Sequence, residues 1–273
     1  MTRLVPGQVA IVTGAASGIG KALAEAFAKR GLNLAIADLD SNGLRTTRDE
    51  LTALGVEVID VPTDVTSAES VAQLAQTTLE KFGTFDIVCN NVGAANKMRP
   101  LWEITSEEWE RLLSLNLRSV INGMRELVPH LVHKNSGHVL NTASMSGLSI
   151  VPGIADYIVT KHAVVALTET LSAEFTASAP GAGATVLCPG VMRTPMLAKR
   201  EDGPAGSADD STMPVPTNAL IEPGDAAEIT LAAIEADYLY AVPAINPLVR
   251  IRGKVDRLLH EVGNQPVPPV AAR

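Results

Sequence analysis

The strongest constraint on this chain is an alternation. Short, predominantly apolar runs are separated by longer segments with helical periodicity. The runs are Val9–Val12, Leu32–Ala37, Val56–Val61, Phe85–Cys89, Gly137–Thr142, Ala184–Cys188 and Tyr238–Val242. A strand that faces solvent on one side alternates apolar and polar residues, whereas these runs do not, so both faces must be covered. Between them, Ile19, Leu23 and Phe27 repeat at helical spacing, with Lys21, Glu25 and Lys29 on another face and Gly31 placed to end the helix. Further helices are expected over Leu44–Leu54, Ser67–Phe82, Ser106–His133, Ile154–Ala177 and Asp225–Ala236. Strand and helix in turn predict an α/β fold: a doubly wound parallel sheet of about seven strands in a single domain.

Composition supports a single core and narrows the partners. Of 273 residues, 46% are hydrophobic and 19% charged, which excludes global disorder. The net charge of −8 argues against nucleic acid or an anionic membrane as partner. No run of about 18 apolar residues is present, and the N-terminus does not read as a signal peptide. Cys89 and Cys188 cannot form a disulfide framework, so a reducing, cytoplasmic setting is expected, with both thiols inert in the core. Residues 1–262 are expected to form one domain. Lys199–Asn218, within a candidate lid at 195–218, is polar and rich in Gly, Pro, Ser and Asp, and 263–273 reads as a loose tail.

The chemistry-bearing residues fall at strand ends. Val9 to Gly20 runs from a strand through a glycine-rich turn, Gly14-x3-Gly18-x-Gly20, into a helix. Such a turn lets backbone amides and the positive helix end approach a pyrophosphate. Asp38 closes the second run, where a carboxylate can accept both ribose hydroxyls and repel a 2′-phosphate. Neither Ser17 nor Leu39 supplies a countercharge for that phosphate. The plainer role for Asp38 is a turn cap before Asp40. Asp64, Asn90, Asn91 and Gly93 follow the third and fourth runs. Tyr157 and Lys161, one helical turn apart, share a face, and a neighbouring ammonium favours a phenolate able to act as acid or base. Ser144 can hydrogen-bond the same substrate oxygen, and Asn116 can hold a water against Lys161. Pro189-Gly190 turns the chain over the same edge, bringing Thr194 within reach of a carboxamide.

Together, Thr13-Gly14-x3-Gly18-x-Gly20, Asp64, Asn90-Asn91-Val92-Gly93, Asn116, Ser144, Tyr157-x3-Lys161 and Pro189-Gly190 with Thr194 resemble the short-chain dehydrogenase/reductase family, over roughly residues 5 to 245. The resemblance implies a Rossmann-type fold, NAD(P) as cofactor, and a catalytic tetrad of Asn116, Ser144, Tyr157 and Lys161. It assigns cofactor contact to Gly14, Ser17, Gly18, Ile19, Gly20, Asp38, Asp64, Val65, Asn91, Gly93, Tyr157, Lys161, Pro189, Gly190, Met192 and Thr194. Val92 and Thr160 depart from the family's usual alanine and serine.

Asp38 points to NAD over NADP. Met145, Val151, Ile154, Val191, Met192, Met196 and Leu197 flank the expected pocket and point to an apolar secondary alcohol or ketone. An NADPH-dependent 3-oxoacyl-carrier reductase is the enzymatic alternative, which the acidic residues Glu201, Asp202, Asp209 and Asp210 disfavour. A non-catalytic dinucleotide sensor is the other. No metal site is expected, since His130 and His133 find no third ligand. Ala163 to Leu167 extend the apolar surface of the Tyr157 helix beyond one core face, so a homo-oligomer is expected; the resemblance implies a tetramer or dimer.

Overall fold

The computed structural model describes residues 3–194 and 220–263. The candidate lid at 195–218, with Met196 and Leu197, lies outside the described residues, as does the tail beyond Gly263.

Seven parallel strands form one sheet in the order β3-β2-β1-β4-β5-β6-β7. They are β1 (Val9–Thr13), β2 (Asn33–Asp38), β3 (Val58–Pro62), β4 (Ile87–Asn90), β5 (Gly137–Thr142), β6 (Ala182–Leu187) and β7 (Tyr240–Ala241). The helices are α1 (Gly18–Lys29), α2 (Ser41–Thr52), α3 (Ala68–Phe82), α4 (Ser106–Leu112), α5 (Ser119–Lys134), α6 (Ala155–Ser178), α7 (Pro223–Glu235) and α8 (Pro247–Gly263). All five β1 residues are buried. Ala10 and Val12 pack with Leu23, Phe27 and Ile234 in one layer; Val9 and Ile11 pack with Leu74, Leu127 and Phe175 in the other. The two-residue period of the strand thus serves both helix layers, which is why its sequence is apolar without alternation.

Strand order reverses between β1 and β4, so the first crossovers leave β1 in opposite directions and open a crevice at its carboxyl end. The segment expected as one helix over Ser106–His133 is helical throughout. A π-helical turn, Leu113–Arg118, separates α4 from α5. The sequence pattern missed α8. None of its residues is buried, so no core contact shapes its composition.

Within α5, Gly123 faces β4. A Cβ there would stand 1.9 Å from Asn90 Oδ1. Asn90 in turn donates to Asn141 Oδ1 at 2.9 Å, and Asn141 donates to Thr168 Oγ1 at 3.0 Å, a buried polar line across β4, β5 and α6. In an unconstrained helix, alanine is more stable than glycine by roughly 0.5–1 kcal/mol. Here Gly123→Ala should reverse that sign, lowering the stability by about 1–3 kcal/mol through overpacking. Urea unfolding checks this, and a raised midpoint in the variant would contradict the packing described.

Candidate active site

The site begins at the β1–α1 turn. Gly14 has a φ of +68°, in the left-handed region that glycine tolerates. Gly20 lies against the Gly14 carbonyl, where a Cβ would meet its oxygen at 2.1 Å. This close packing brings the first turn of α1 onto the end of β1 and leaves a cradle of bare backbone. Ser17 sits at the N-cap of α1 without a side-chain cap bond, Gly18 opens the helix, and Ile19 packs on the core. Asp38 ends β2 beside this turn. Its Oδ2 accepts from Ala16 N and its Oδ1 from Asp40 N, both at 3.1 Å. The carboxylate thus holds the glycine-rich turn as well as its own loop, while Asp40 caps α2.

Asp64 folds onto its own turn, Oδ1 accepting from Thr66 N and Oγ1 at 2.9 and 2.7 Å. The buried Val65 gives its carbonyl to Asn122 Nδ2 at 3.0 Å. Asn91 acts as a stitch between strand ends. Its N donates to Thr13 Oγ1 at 3.0 Å, its Nδ2 donates to Thr13 O at 3.2 Å, and its Oδ1 accepts from Thr142 Oγ1 at 3.1 Å. Sequence reasoning gave Thr142 no role, although it is a polar residue ending a buried strand two positions before Ser144.

Tyr157 and Lys161 do share a face of α6: Lys161 Nζ lies 5.6 Å from the Tyr157 ring centroid. Lys161 is only 3% exposed and donates to the Thr142 carbonyl at 2.9 Å. Burial lowers its pKa to about 8, so this amine can gain or release a proton near neutrality. A Cβ on Gly93 would stand 3.2 Å from Lys161 Nζ and 3.4 Å from Asn116 Oδ1. Gly93 therefore marks a close approach of the β4 loop to both groups. Asn116 lies in the π-helical turn, fully buried. Its amide is committed: Oδ1 accepts from Ala94 N at 2.7 Å, and Nδ2 donates to Ala94 O at 2.9 Å and to Thr160 Oγ1 at 3.2 Å. Thr160 thus does more than replace a serine, since its hydroxyl links Asn116 to the Tyr157 carbonyl at 2.8 Å.

Ser144 caps a short 3₁₀ turn, Met145–Gly147, with Oγ accepting from Ser146 N at 3.1 Å. That turn is tied to the next loop by Met145 N donating to Pro189 O at 2.9 Å. Gly190 N donates to Pro243 O at 3.0 Å, Met192 is buried, and Thr194 is half-buried. Of the expected pocket residues, Met145 and Ile154 belong to the buried interior with Met192. Val151 and Val191 remain accessible, and exposed Leu101, Trp102 and Ile150 join them on the loops after β4 and β5. Both thiols are buried. Desolvation raises Cys89 far above its ordinary pKa and Cys188 to about 12, so neither is a ready nucleophile.

The strand-end loops therefore bring together a glycine cradle, an acceptor at the end of β2, and a phenol beside a buried amine. Bare backbone at Gly14, Gly20 and Gly93 fits a dinucleotide, which needs close main-chain approach. The arrangement can hold such a group and move a proton at a nearby oxygen.

A family model described as short chain dehydrogenase matches residues 8–205. A 1-deoxy-11-beta-hydroxypentalenate dehydrogenase of Streptomyces exfoliatus is 33% identical over 264 residues, covering 96% of this chain and 92% of that protein. A short chain dehydrogenase/reductase from Burkholderia phymatum, solved in complex with NAD, is 31% identical with a TM-score of 0.83, covering 99% of this chain and 100% of that one. An alcohol dehydrogenase from Thermococcus sibiricus, complexed with 5-hydroxy-NADP, is 28% identical with a TM-score of 0.75, covering 87% and 96%.

The buried amine has a consequence for stability. Lysine in an unfolded chain titrates near 10.5, against about 8 for Lys161 in the fold. Between these values the unfolded state binds the extra proton, so stability should rise with pH from about 8 to 10.5 and be lost as pH falls through that window. The full difference is on the order of 3 kcal/mol. Lys161→Met removes the titration. Urea unfolding of both proteins across this range should show the wild type gaining on the variant as pH rises, and a constant difference would contradict the assignment.

Proposed function

Since this chain belongs to the short-chain dehydrogenase/reductase family, and so is an NAD(P)-dependent oxidoreductase of alcohols and ketones, we propose that it works with NAD on a largely apolar secondary alcohol or ketone, with Tyr157 as the acid/base. The observation that carries this reading is the meeting of Tyr157, buried Lys161 and Gly93 at the carboxyl edge of the sheet, beside the glycine cradle. When bound, the nicotinamide supplies hydride transfer. Gly14, Ser17, Gly18, Ile19 and Gly20 would hold its pyrophosphate, and Asp38 its adenosine ribose. Asp64, Val65, Asn91, Gly93, Pro189, Gly190, Met192 and Thr194 complete the proposed cofactor set.

During oxidation Tyr157 Oη accepts the hydroxyl proton of the alcohol; in reduction it returns that proton to the carbonyl oxygen. Ser144 Oγ donates to the same substrate oxygen and orients it. Lys161 Nζ, anchored on the Thr142 carbonyl, carries positive charge that favours the phenolate. Asn116 acts by fixing the Ala94 backbone and Thr160, and so the distance between the β4 loop and α6. The apolar substrate class is supported by accessible Leu101, Trp102, Ile150 and Val191 on three neighbouring loops. One domain, residues 1–262, would carry both sites. A homo-oligomer is supported by the apolar groove between α5 and α6, lined by Met124, Val128, Leu167 and Leu171.

Tyr157→Phe keeps the ring and loses the titrating oxygen. It should bind NAD like the wild type while turnover falls about 10²–10⁴-fold. Steady-state kinetics beside a fluorescence titration with NAD test this, and near-native turnover would show that another group moves the proton.

Cofactor choice is tested separately through Asp38. The wild type should show a higher kcat/KM with NAD than with NADP on one alcohol. Asp38→Ala should narrow that ratio by roughly 10–100-fold, the loss expected for hydrogen bonds to a charged acceptor. A wild-type preference for NADP would overturn the assignment.

A further inference from the structure

Asp156 immediately precedes Tyr157, and the proton-transfer chemistry gives it no part. It is nonetheless 3% exposed, in the first turn of α6. A carboxyl group removed from water needs donors, since leaving it unpaired is costly. Both of its oxygens have one. Oδ1 accepts from the Tyr157 backbone N at 2.8 Å. Oδ2 accepts from Asn96 Nδ2 at 2.7 Å, across 60 residues of chain.

Asn96 is the other half of the arrangement. It lies on the loop between β4 and α4, two residues beyond the Ala94 that Asn116 holds. The same Nδ2 donates to the Glu108 carbonyl at 3.3 Å, and Oδ1 accepts from Arg111 Nη1. Glu108 and Arg111 both belong to α4. The loop has two further ties: Arg99 N donates to Gly153 O at 2.9 Å, and Arg99 Nη2 pairs with Glu108 Oε1 at 3.2 Å. The line Arg111–Asn96–Asp156 therefore runs from α4, through the loop that carries exposed Leu101 and Trp102, to the backbone of Tyr157.

We propose that Asp156 is a positioning residue: with Asn96 and Arg111 it clasps the β4–α4 loop to the first turn of α6, fixing at once the site of Tyr157 and one wall of the substrate cleft. This inference rests on the role assigned to Tyr157 above. Its physical basis is the sensitivity of proton transfer to geometry, where a displacement of about 1 Å can cost roughly 10²-fold in rate. The helix start alone does not hold Tyr157, because the first amides of a helix lack intrahelical partners. Asp156 supplies one of those partners and ties it to a distant element. Because the wall and the phenol share this tie, loosening it should affect kcat and the KM for the alcohol together, while leaving the glycine cradle of the β1–α1 turn in place.

The test uses four full-length variants: Asp156→Ala, Asp156→Asn, Asn96→Asp, and the exchange Asn96→Asp with Asp156→Asn. Asp156→Ala should lower kcat about 10–100-fold and raise the KM of the alcohol several-fold, with NAD affinity within about two-fold of wild type. Asn96→Asp alone sets two carboxylates against each other and should be at least as damaging. The exchange restores the donor–acceptor pair between the two side chains and sets the anion directly beside Arg111, with the loss of one donor to the Glu108 carbonyl, so it should recover most of the lost turnover; a residue needed only for folding would show no such rescue. Amide exchange at Tyr157 and over residues 94–99, read without turnover, should accelerate in Asp156→Ala and slow again in the exchange. The proposal is overturned if Asp156→Ala keeps native kcat, if the exchange is no better than Asn96→Asp, or if protection at Tyr157 is unchanged. A wild type without turnover, or an active Tyr157→Phe, would instead overturn the chemistry, and the exchange measurements would still decide whether the clasp exists.

Discussion

The carboxyl ends of β1, β4 and β5 are held together by one line of hydrogen bonds, and the site is built on it. Thr13 Oγ1 donates to Cys89 O at 3.1 Å. Asn91 bonds Thr13 through both its backbone and its side chain, and Thr142 donates to Asn91. The carbonyl of that same Thr142 then receives the Lys161 amine. A parallel sheet leaves the last groups of each strand unpaired at its edge, where water or a ligand must satisfy them. Here side chains satisfy them instead, so the strand ends keep a fixed relation to one another and to α6. Each bond contributes about 1 kcal/mol net. Their geometric effect is larger, because the glycine cradle and the acid/base pair lie at opposite ends of the line.

Charge inside this edge is handled by burial with a partner. Lys161 is removed from water, and its amine is accordingly shifted toward neutrality, with one carbonyl as acceptor. Cys188 is nearby in the same desolvated region, and its thiol is held protonated. Asp38 and Asp64, by contrast, are half-buried; Asp38 accepts from amides of the glycine-rich turn and of its own loop, and Asp64 from an amide of its own turn. The site thus places an amine that titrates near neutrality beside the phenol, and carboxylates at the outer end where the cofactor's ribose is proposed to lie. This division is the electrostatic counterpart of the topological switch between β1 and β4.

The chemistry of the family is built into a scaffold that leaves the substrate side open to variation. The α4 side of the cleft is a strap of one ion pair and several amide hydrogen bonds around Asn96, Arg99 and Glu108, carrying exposed apolar residues at its tip. Loops positioned by a rigid sheet are the common place for specificity, because they can change without disturbing the core. Outside the cleft, α8 projects with Leu248, Leu258 and Leu259 more than half exposed, and α5 and α6 share an apolar groove. Among the described residues no helix is long and apolar enough to cross a membrane.

The sequence by itself determined the strand count, the parallel class and the one-turn spacing of the proposed acid/base pair. Apolar runs such as Val9–Val12, short and followed by turn residues, fit strands covered on both faces, and the Tyr157–Lys161 spacing holds for any α-helix. These are local, periodic properties, readable without knowing what packs where. Tertiary structure decided the rest. The π turn at Leu113–Arg118 carries Asn116 to Ala94 of the β4 loop and to Thr160 of α6, partners that no periodicity within one helix records. Core membership of Met145, Ile154 and Met192 followed from how their loops fold back. Thr142 and Asn96 gained their roles only from partners far along the chain. A hydrogen bond between residues 60 apart depends on the path of everything between them, whereas a sequence pattern reports only what a single element requires.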